Sequence, residues 1–274
     1  MKQVASLQYG VIFKKAFCDV DVFKGFVRDI LGIELNIDKV ETEKEFKPTI
    51  GKVAVKFDLY AQDLEGRVIV EIQHQYAADD HYDRFLHYHC VALLEQVENA
   101  KNYKPPLAVY TIVVLTSPDT KCREDVLTID FDLKNKAGKG LNLIPHKIIY
   151  LCPRYVDENT PTAYREWLEI IFDSLDGHVE ESNYHKSEVQ KVVQHIEQNG
   201  VSPEEKAEMI EEYNWEEFQK KQVELQKKKF DEGIQKGKLE EKRLIARGML
   251  AEGLGIEIIA KLTSLSVQEI ENLK

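Results

Sequence analysis

Cysteine is scarce, and no paired spacing appears. The four residues Cys18, Cys90, Cys122 and Cys152 are widely scattered, with no CxxC. Neither a zinc knuckle nor a disulfide framework is indicated, and a reducing, cytoplasmic setting is expected. No apolar run reaches about 18 residues, and the N-terminus lacks the apolar stretch of a secretion signal, so no membrane partner is expected. GxSxG, P-loop, GxGxxG and HExxH motifs are all missing, which removes serine-hydrolase, nucleotide-cradling and zincin chemistry. Positive charge is short too: 37 Lys and Arg stand against 48 Asp and Glu, for a net charge of −11. That balance argues against broad, sequence-independent binding of nucleic acid, although a local basic track remains open. What is present suits a folded globular chain: 43% of the 274 residues are hydrophobic and 31% charged.

The hydrophobic pattern alternates between the helical and strand periods. Residues 11–32 read as one amphipathic helix, with Phe13, Phe17, Phe23, Phe26 and Ile30 inward and Gly32 as its stop. "LNIDKVETEKEF" suggests an edge strand. "GKVAVKFDLYA" alternates, with Val53, Val55, Phe57 and Leu59 on one face. "RVIVEIQ" is apolar and β-branched. A helix through "DRFLHYHCVALLEQV" follows, then the strands "LAVYTIVVLT" and "HKIIYLC". The order helix, three strands, helix, strand predicts an α/β core with a mixed central sheet. Beyond residue 155 the spacing is helical. Residues 206–247 predict a long solvated helix of mixed charge, weakened at Gly233 and Gly237. The tail predicts three short helices, with Ser266 and Glu269 at capping-box spacing.

One charge stands out in this pattern. Glu71 lies within an apolar strand, with Gln73 two residues on. Asp63–Gly66 reads as a four-residue hairpin loop. If Gln62 pairs with Arg67, Tyr60 faces Ile69, Asp58 faces Glu71 and Lys56 faces Gln73, all on one face. Directly opposed carboxylates about 5 Å apart repel and shift upward in pKa unless a cation lies between them. A divalent cation satisfies that arrangement, since Mg²⁺ accepts one or two carboxylates with several waters and substrate phosphate oxygens. The other reading puts Asp58 and Glu71 in solvent at a sheet end, paired with Lys56 and Arg67.

These residues resemble the PD-(D/E)XK nuclease superfamily, and within it the recombination-promoting, transposase-like branch. The match rests on an Asp, a polar hairpin and then Glu-x-Gln in "VEIQ". "IFKKAF" is similar to that branch's N-terminal helix motif. "DRFLHYHCVALLEQV" is similar to its following helix, with Arg84 and Tyr88 at the expected places. "IARGMLAEGLGIEIIAKLTSLSVQEIENL" resembles its C-terminal segment. The resemblance implies a restriction-endonuclease-like αβββαβ core and Mg²⁺- or Mn²⁺-dependent endonucleolytic cleavage of DNA. Asp58, Glu71 and the Ile72 carbonyl are then the metal ligands. Gln73 stands in for the catalytic lysine; the strand pairing, not the resemblance, offers Lys56 opposite it as the source of a cation. His74, Arg84 and Tyr88 are candidate DNA contacts. Cutting both strands suggests a homodimer. The organisation so implied is a nuclease core over 1–155, a helical region packing on it over 156–205, a charged arm over 206–247 and a helix-turn-helix-like tail over 248–274. An alternative of another class is a non-catalytic module on the same core that binds DNA or protein.

Two further features weigh less. His74, His81, His87 and His89, with Asp79, Asp80 and Asp83, invite a metal reading, but on a helix His87 and His89 diverge by about 200°. The last helix carries Glu269 and Glu271 against Lys274 alone, which favours packing or oligomerisation over base reading.

Overall fold

A computed structural model describes residues 1–46, 55–74, 81–97, 104–117 and 123–273. Val53, Asp79, Asp80, Cys122 and Lys274 lie outside the described residues. The chain forms two compact units, Met1–Glu216 and Glu217–Lys274.

The first unit opens with β1 (Lys2–Gln3), then α1 (Gly10–Phe17) and α2 (Val20–Leu31). The single helix expected over 11–32 is therefore two. Asp19 divides them, because its carboxylate accepts the N–H groups of Asp21 and Val22 at 2.9 and 3.1 Å and caps α2. Gly32 ends α2 as expected, at φ 70, a left-handed conformation that costs glycine little.

The strands β2 (Glu41–Phe46), β3 (Val55–Gln62) and β4 (Gly66–Gln73) follow, then α3 (His81–Leu94), β5 (Ala108–Leu115), β6 (Val126–Asp130) and β7 (Lys147–Leu151). They make a six-stranded mixed sheet in the order β2-β3-β4-β5-β7-β6. β2, β3 and β4 are antiparallel neighbours, β4, β5 and β7 run parallel, and β6 closes the edge antiparallel to β7. The sequence reading missed β6, whose "VLTID" is short and only half-buried.

Helices cover both faces, as buried parallel strands require. On one face, α1, α2, α4 (Thr162–Asp173) and α5 (Ser187–Ile196) bury Phe13, Phe17, Phe26, Trp167 and Ile171 against Leu59, Val68, Val70 and Ile112. Phe13 and Phe17 stack at 4.3 Å between ring centroids. Each such side chain, fully removed from water, contributes roughly 1.5–3 kcal/mol. Trp167 also donates to Asp29 at 2.8 Å, and Lys186 meets the same carboxylate oxygen at 2.7 Å. On the other face, α3 packs Phe85, Val91 and Ala92 over Phe57, Ile69, Val109 and Val113. β8 (His178–Val179) pairs with β1.

α6 (Pro203–Ala251) is continuous through Gly233 and Gly237, where weakening was expected. Ala246 is its one buried residue. In the second unit, α7 (Ile256–Thr263) and α8 (Val267–Glu271) close a small core of Ala246, Ile259, Leu265 and Ile270. The first of the three short helices expected in the tail is the last part of α6. The capping box at Ser266 and Glu269 is complete. Among the described residues, no helix is long and apolar enough to cross a membrane.

Candidate active site

The expected hairpin register is present near the turn: Gln62 pairs with Arg67, Ala61 with Val68, Tyr60 with Ile69 and Leu59 with Val70. The β3–β4 ladder ends at that last pair. At the next position, side chains replace the backbone bonds. The Glu71 carboxylate accepts the Asp58 N–H at 3.2 Å, and the Asp58 carboxylate accepts the Ile72 N–H at 3.0 Å. The two acids are thereby held against each other's strand.

The β2–β3 ladder explains this break. Thr42 pairs with Leu59 and Lys44 with Phe57, while Glu43 and Asp58 between them are unpaired. Glu43 has φ 59, a left-handed conformation that strains a residue with a Cβ. One extra residue in each strand shifts the two-residue alternation by one. Val55 and Phe57 accordingly pack with Tyr60 and Ile69, whereas Leu59 and Ala61 join the opposite core. The expected common face for Val55, Phe57 and Leu59 is thus corrected. The bulge that breaks it is also what turns Asp58 toward Glu71 and Ile72.

Burial is the largest influence on both acids. It pushes the Asp58 carboxyl up, against the opposing pull of its bond from Ile72. Burial, and then the charge of Asp58, push Glu71 well above the usual carboxylate range. Glu71 is only 5% exposed. The pair therefore sets a half-buried acid, Asp58, beside a buried one, Glu71.

Neighbouring cations are distributed differently from the sequence expectation. Lys56 is the cross-strand partner of Glu45, and its ammonium ion-pairs with Glu43. Lys14, from "IFKKAF", pairs with the same Glu43, and its charge also reaches Asp58. Arg84 of α3 donates to the Gln73 side-chain oxygen, and the Gln73 NH₂ donates to the His74 carbonyl at 3.3 Å. A guanidinium can only donate and a carbonyl can only accept, so these partners fix which way the amide points. Of the remaining candidates, the His74 ring meets the Thr116 hydroxyl at 2.8 Å. The Tyr88 ring lies in edge contact with Phe57 and Phe85, in the aromatic layer beneath the sheet.

Asp58, Ile72, Gln73 and His74 line a cavity of about 330 Å³ with Gln8, Gly10, Lys14, Glu212, Trp215 and Glu216. It opens at the carboxyl end of β4, which runs parallel to β5, where open α/β sheets commonly bind ligands. Sequence reasoning missed Glu212, whose carboxylate accepts the Gly10 and Val11 N–H groups at the start of α1, at 2.8 and 3.3 Å. No local pattern links it to a site 202 residues away. A larger cavity of about 980 Å³ lies at the opposite end of β4 and β5, around Gly66 and Ala108. It contains no comparable carboxylate pair.

The donor set suits a hard divalent cation. Two carboxylates held by backbone N–H groups, Glu71 buried and Asp58 half-buried, both raised in pKa, provide oxygen ligands and a charge that a cation relieves. Among the described residues, no group of three or more His, Cys, Asp and Glu is placed to hold a metal. Mg²⁺ needs one or two carboxylates and keeps its waters, a demand that Asp58 and Glu71 can meet.

No curated protein and no solved structure matches the chain. Residues 239–274 match a family model described as the C-terminal helix-turn-helix domain of the Rpn/YhgA-like nuclease family. A helix-turn-helix domain suggests DNA binding. The matched segment contains the end of α6, α7, α8 and their small core. Over residues 239–274 the chain is thus similar to the C-terminal domain of the Rpn/YhgA-like nuclease family, which supports the resemblance to the recombination-promoting nucleases.

Proposed function

We propose that the first unit is a PD-(D/E)XK-type core and that the protein is a metal-dependent DNA endonuclease. The observation that carries this reading is the bulged Asp58, held by hydrogen bonds against buried Glu71 in a cavity at the carboxyl end of β4. The family match and its helix-turn-helix domain support DNA as the substrate.

In this reading Asp58, Glu71 and the Ile72 carbonyl would hold Mg²⁺ or Mn²⁺. The ion would supply charge stabilisation at the phosphate and acidify water. The chain's own residues do the rest. The bonds from Ile72 and Asp58 N–H groups orient the two carboxylates, and burial excludes bulk water from Glu71. Lys14 and Lys56 both ion-pair with Glu43, which lies across the β2–β3 ladder beside Asp58. A water oxygen bonds to phosphorus and one phosphorus–ester bond breaks. The water gives up a proton and the departing alkoxide gains one, leaving a phosphate monoester and a hydroxyl. Cleavage of both strands would use two copies of the chain.

The test is nicking of supercoiled plasmid by the purified full chain with Mg²⁺ or Mn²⁺. Wild type is expected to nick, and Asp58→Ala and Glu71→Ala to lose activity by at least about a hundredfold. Equal nicking by wild type and Glu71→Ala refutes the site. The alternative, a non-catalytic binding module, predicts no divalent binding at millimolar concentration and DNA binding indifferent to Asp58→Ala.

A further inference from the structure

The proposed reaction needs a group that takes the proton of the attacking water. Asp58 and Glu71 are committed to the metal. Lys14, ion-paired to Glu43, is an ammonium and can only donate. Gln8 and Gln73, on the cavity wall, are amides without a basic group. Among the described residues of that wall, His74, Glu212 and Glu216 can accept a proton besides Asp58. The His74 ring is engaged with the Thr116 hydroxyl. Glu212 is half-buried and held by backbone: Gly10 donates to one carboxylate oxygen at 2.8 Å and Val11 to the other at 3.3 Å.

Tyr9, at the N-cap of α1, gives no side-chain cap, and the first turn of α1 has no acid. Its leading N–H groups therefore need an acceptor from elsewhere, and Glu212 of α6 supplies it. Each carboxylate oxygen has two lone pairs and gives one to α1, which leaves one on each for water. Capping by itself asks only for an acceptor. It does not account for a further negative charge on a wall shared with Asp58, where like charges disfavour each other. Burial pushes the Glu212 carboxyl up. The bonds from Gly10 and Val11 and the Lys14 charge oppose that push, and the Asp58 charge adds to it. A carboxylate raised in this way is a stronger base. The titratable and charged groups around it are Tyr9 and Lys14 at α1, Asp58 on β3, His74 after β4 and Glu216 on α6.

We propose that Glu212 is the general base of the reaction, a catalytic residue that α6 brings to the cavity. A water oxygen bonds to phosphorus as its proton passes to a Glu212 carboxylate oxygen. The phosphorus–ester bond breaks, the departing alkoxide takes a proton from solvent, and Glu212 returns its own to solvent. This rests on the nuclease reading, and extends the site beyond the two strands that hold Asp58 and Glu71.

The experiment measures single-turnover nicking of plasmid by the full chain at saturating Mg²⁺, from about pH 5.5 to about pH 9. DNA affinity is measured separately in EDTA by fluorescence anisotropy, and Mn²⁺ affinity by paramagnetic resonance. Glu212→Gln keeps one acceptor for α1 and is expected to slow nicking by about 10²–10³-fold, with both affinities changed less than about threefold. The wild-type rate should rise with pH and then level off. The variant, relying on hydroxide, should go on rising, so the gap narrows toward high pH. Thermal melts check folding. If Glu212→Gln melts early, Glu212→Asp and Glu212→Asn, shortened alike, replace it, and the first should nick at least about tenfold faster. Nicking by folded Glu212→Gln within about threefold of wild type overturns the proposal, as does a loss of rate that the affinities account for or that is equally deep at every pH. Equal rates for the two shortened variants overturn it too. Asp58→Ala separates the two levels. If it nicks like wild type, or if wild type does not nick, the nuclease reading fails and this proposal with it. If it is inactive while Glu212→Gln is not, only the Glu212 proposal fails.

Discussion

Replacing Glu71 with glutamine removes one charge from the carboxylate pair and changes little else. The glutamine oxygen can still accept the Asp58 N–H, and its NH₂ can donate to the Asp58 carboxylate, where two acids now repel. At a separation of about 5 Å and an effective dielectric constant of about 20, that repulsion is roughly 3 kcal/mol. Burial of Glu71 adds to it in the same direction. The Glu71 pKa is raised on folding, so the folded state binds its proton more tightly than the unfolded one. Its stabilisation is complete below the ordinary carboxylate value and is lost as pH rises through the folded value. Without metal, Glu71→Gln should therefore be more stable than wild type at about pH 8, and the gap should narrow toward about pH 5. For a unit of this size, about 3 kcal/mol corresponds to roughly 6–12 °C in melting temperature. The assay is a thermal melt of both proteins in EDTA across that range, repeated with Mn²⁺. Mn²⁺ should raise wild type and leave Glu71→Gln nearly unmoved. A variant less stable than wild type at pH 8 in EDTA refutes the argument that the pair is a stored repulsion.

Other outcomes follow from single features. His89 is fully buried on α3, bonds Thr111 through Nδ1 at 2.9 Å and has no hydrogen-bond partner at Nε2 among the described residues; burial pushes its pKa down to about 3. A depressed histidine gives stability that is present above its unfolded value and lost as pH falls, so wild type should lose about 2 kcal/mol between pH 6.5 and 5. His89→Gln should flatten that part of a urea-denaturation series. Asp29 accepts from Trp167, Lys186 and Arg28. Asp29→Ala leaves these donors without their shared acceptor and should cost about 3 kcal/mol by chemical denaturation. In the second unit, Ser266→Ala removes the α8 cap and should cost about 1 kcal/mol, read as faster amide exchange at Glu269.

Much of the first unit was legible because its elements follow local rules. The phenylalanines of α1 and α2 recur at helical spacing, Gly32 can adopt a left-handed turn cheaply, and the loop at Asp63–Gly66 sets the register near the turn. The break at Asp19 was readable in principle as a capping residue, but the uninterrupted apolar spacing across it concealed the stop. β6 was missed because an edge strand exposed on one side carries little hydrophobic signal. The bulge at Glu43 and Asp58 left no local trace, since the alternation of "VKFDLYA" looks unbroken along the strand.

The sequence by itself determined the mixed α/β core, the helical tail and the hairpin register from Leu59–Val70 to Gln62–Arg67, because period, capping and hairpin length act between near neighbours. Only the tertiary structure decided which cations stand beside that pair. Lys56 goes to Glu43, Arg84 comes down from α3 onto Gln73, and Glu212 arrives from α6 to cap α1. Each of those contacts depends on how a helix packs across the sheet, a choice made by burial of whole faces and recorded in no short stretch of chain.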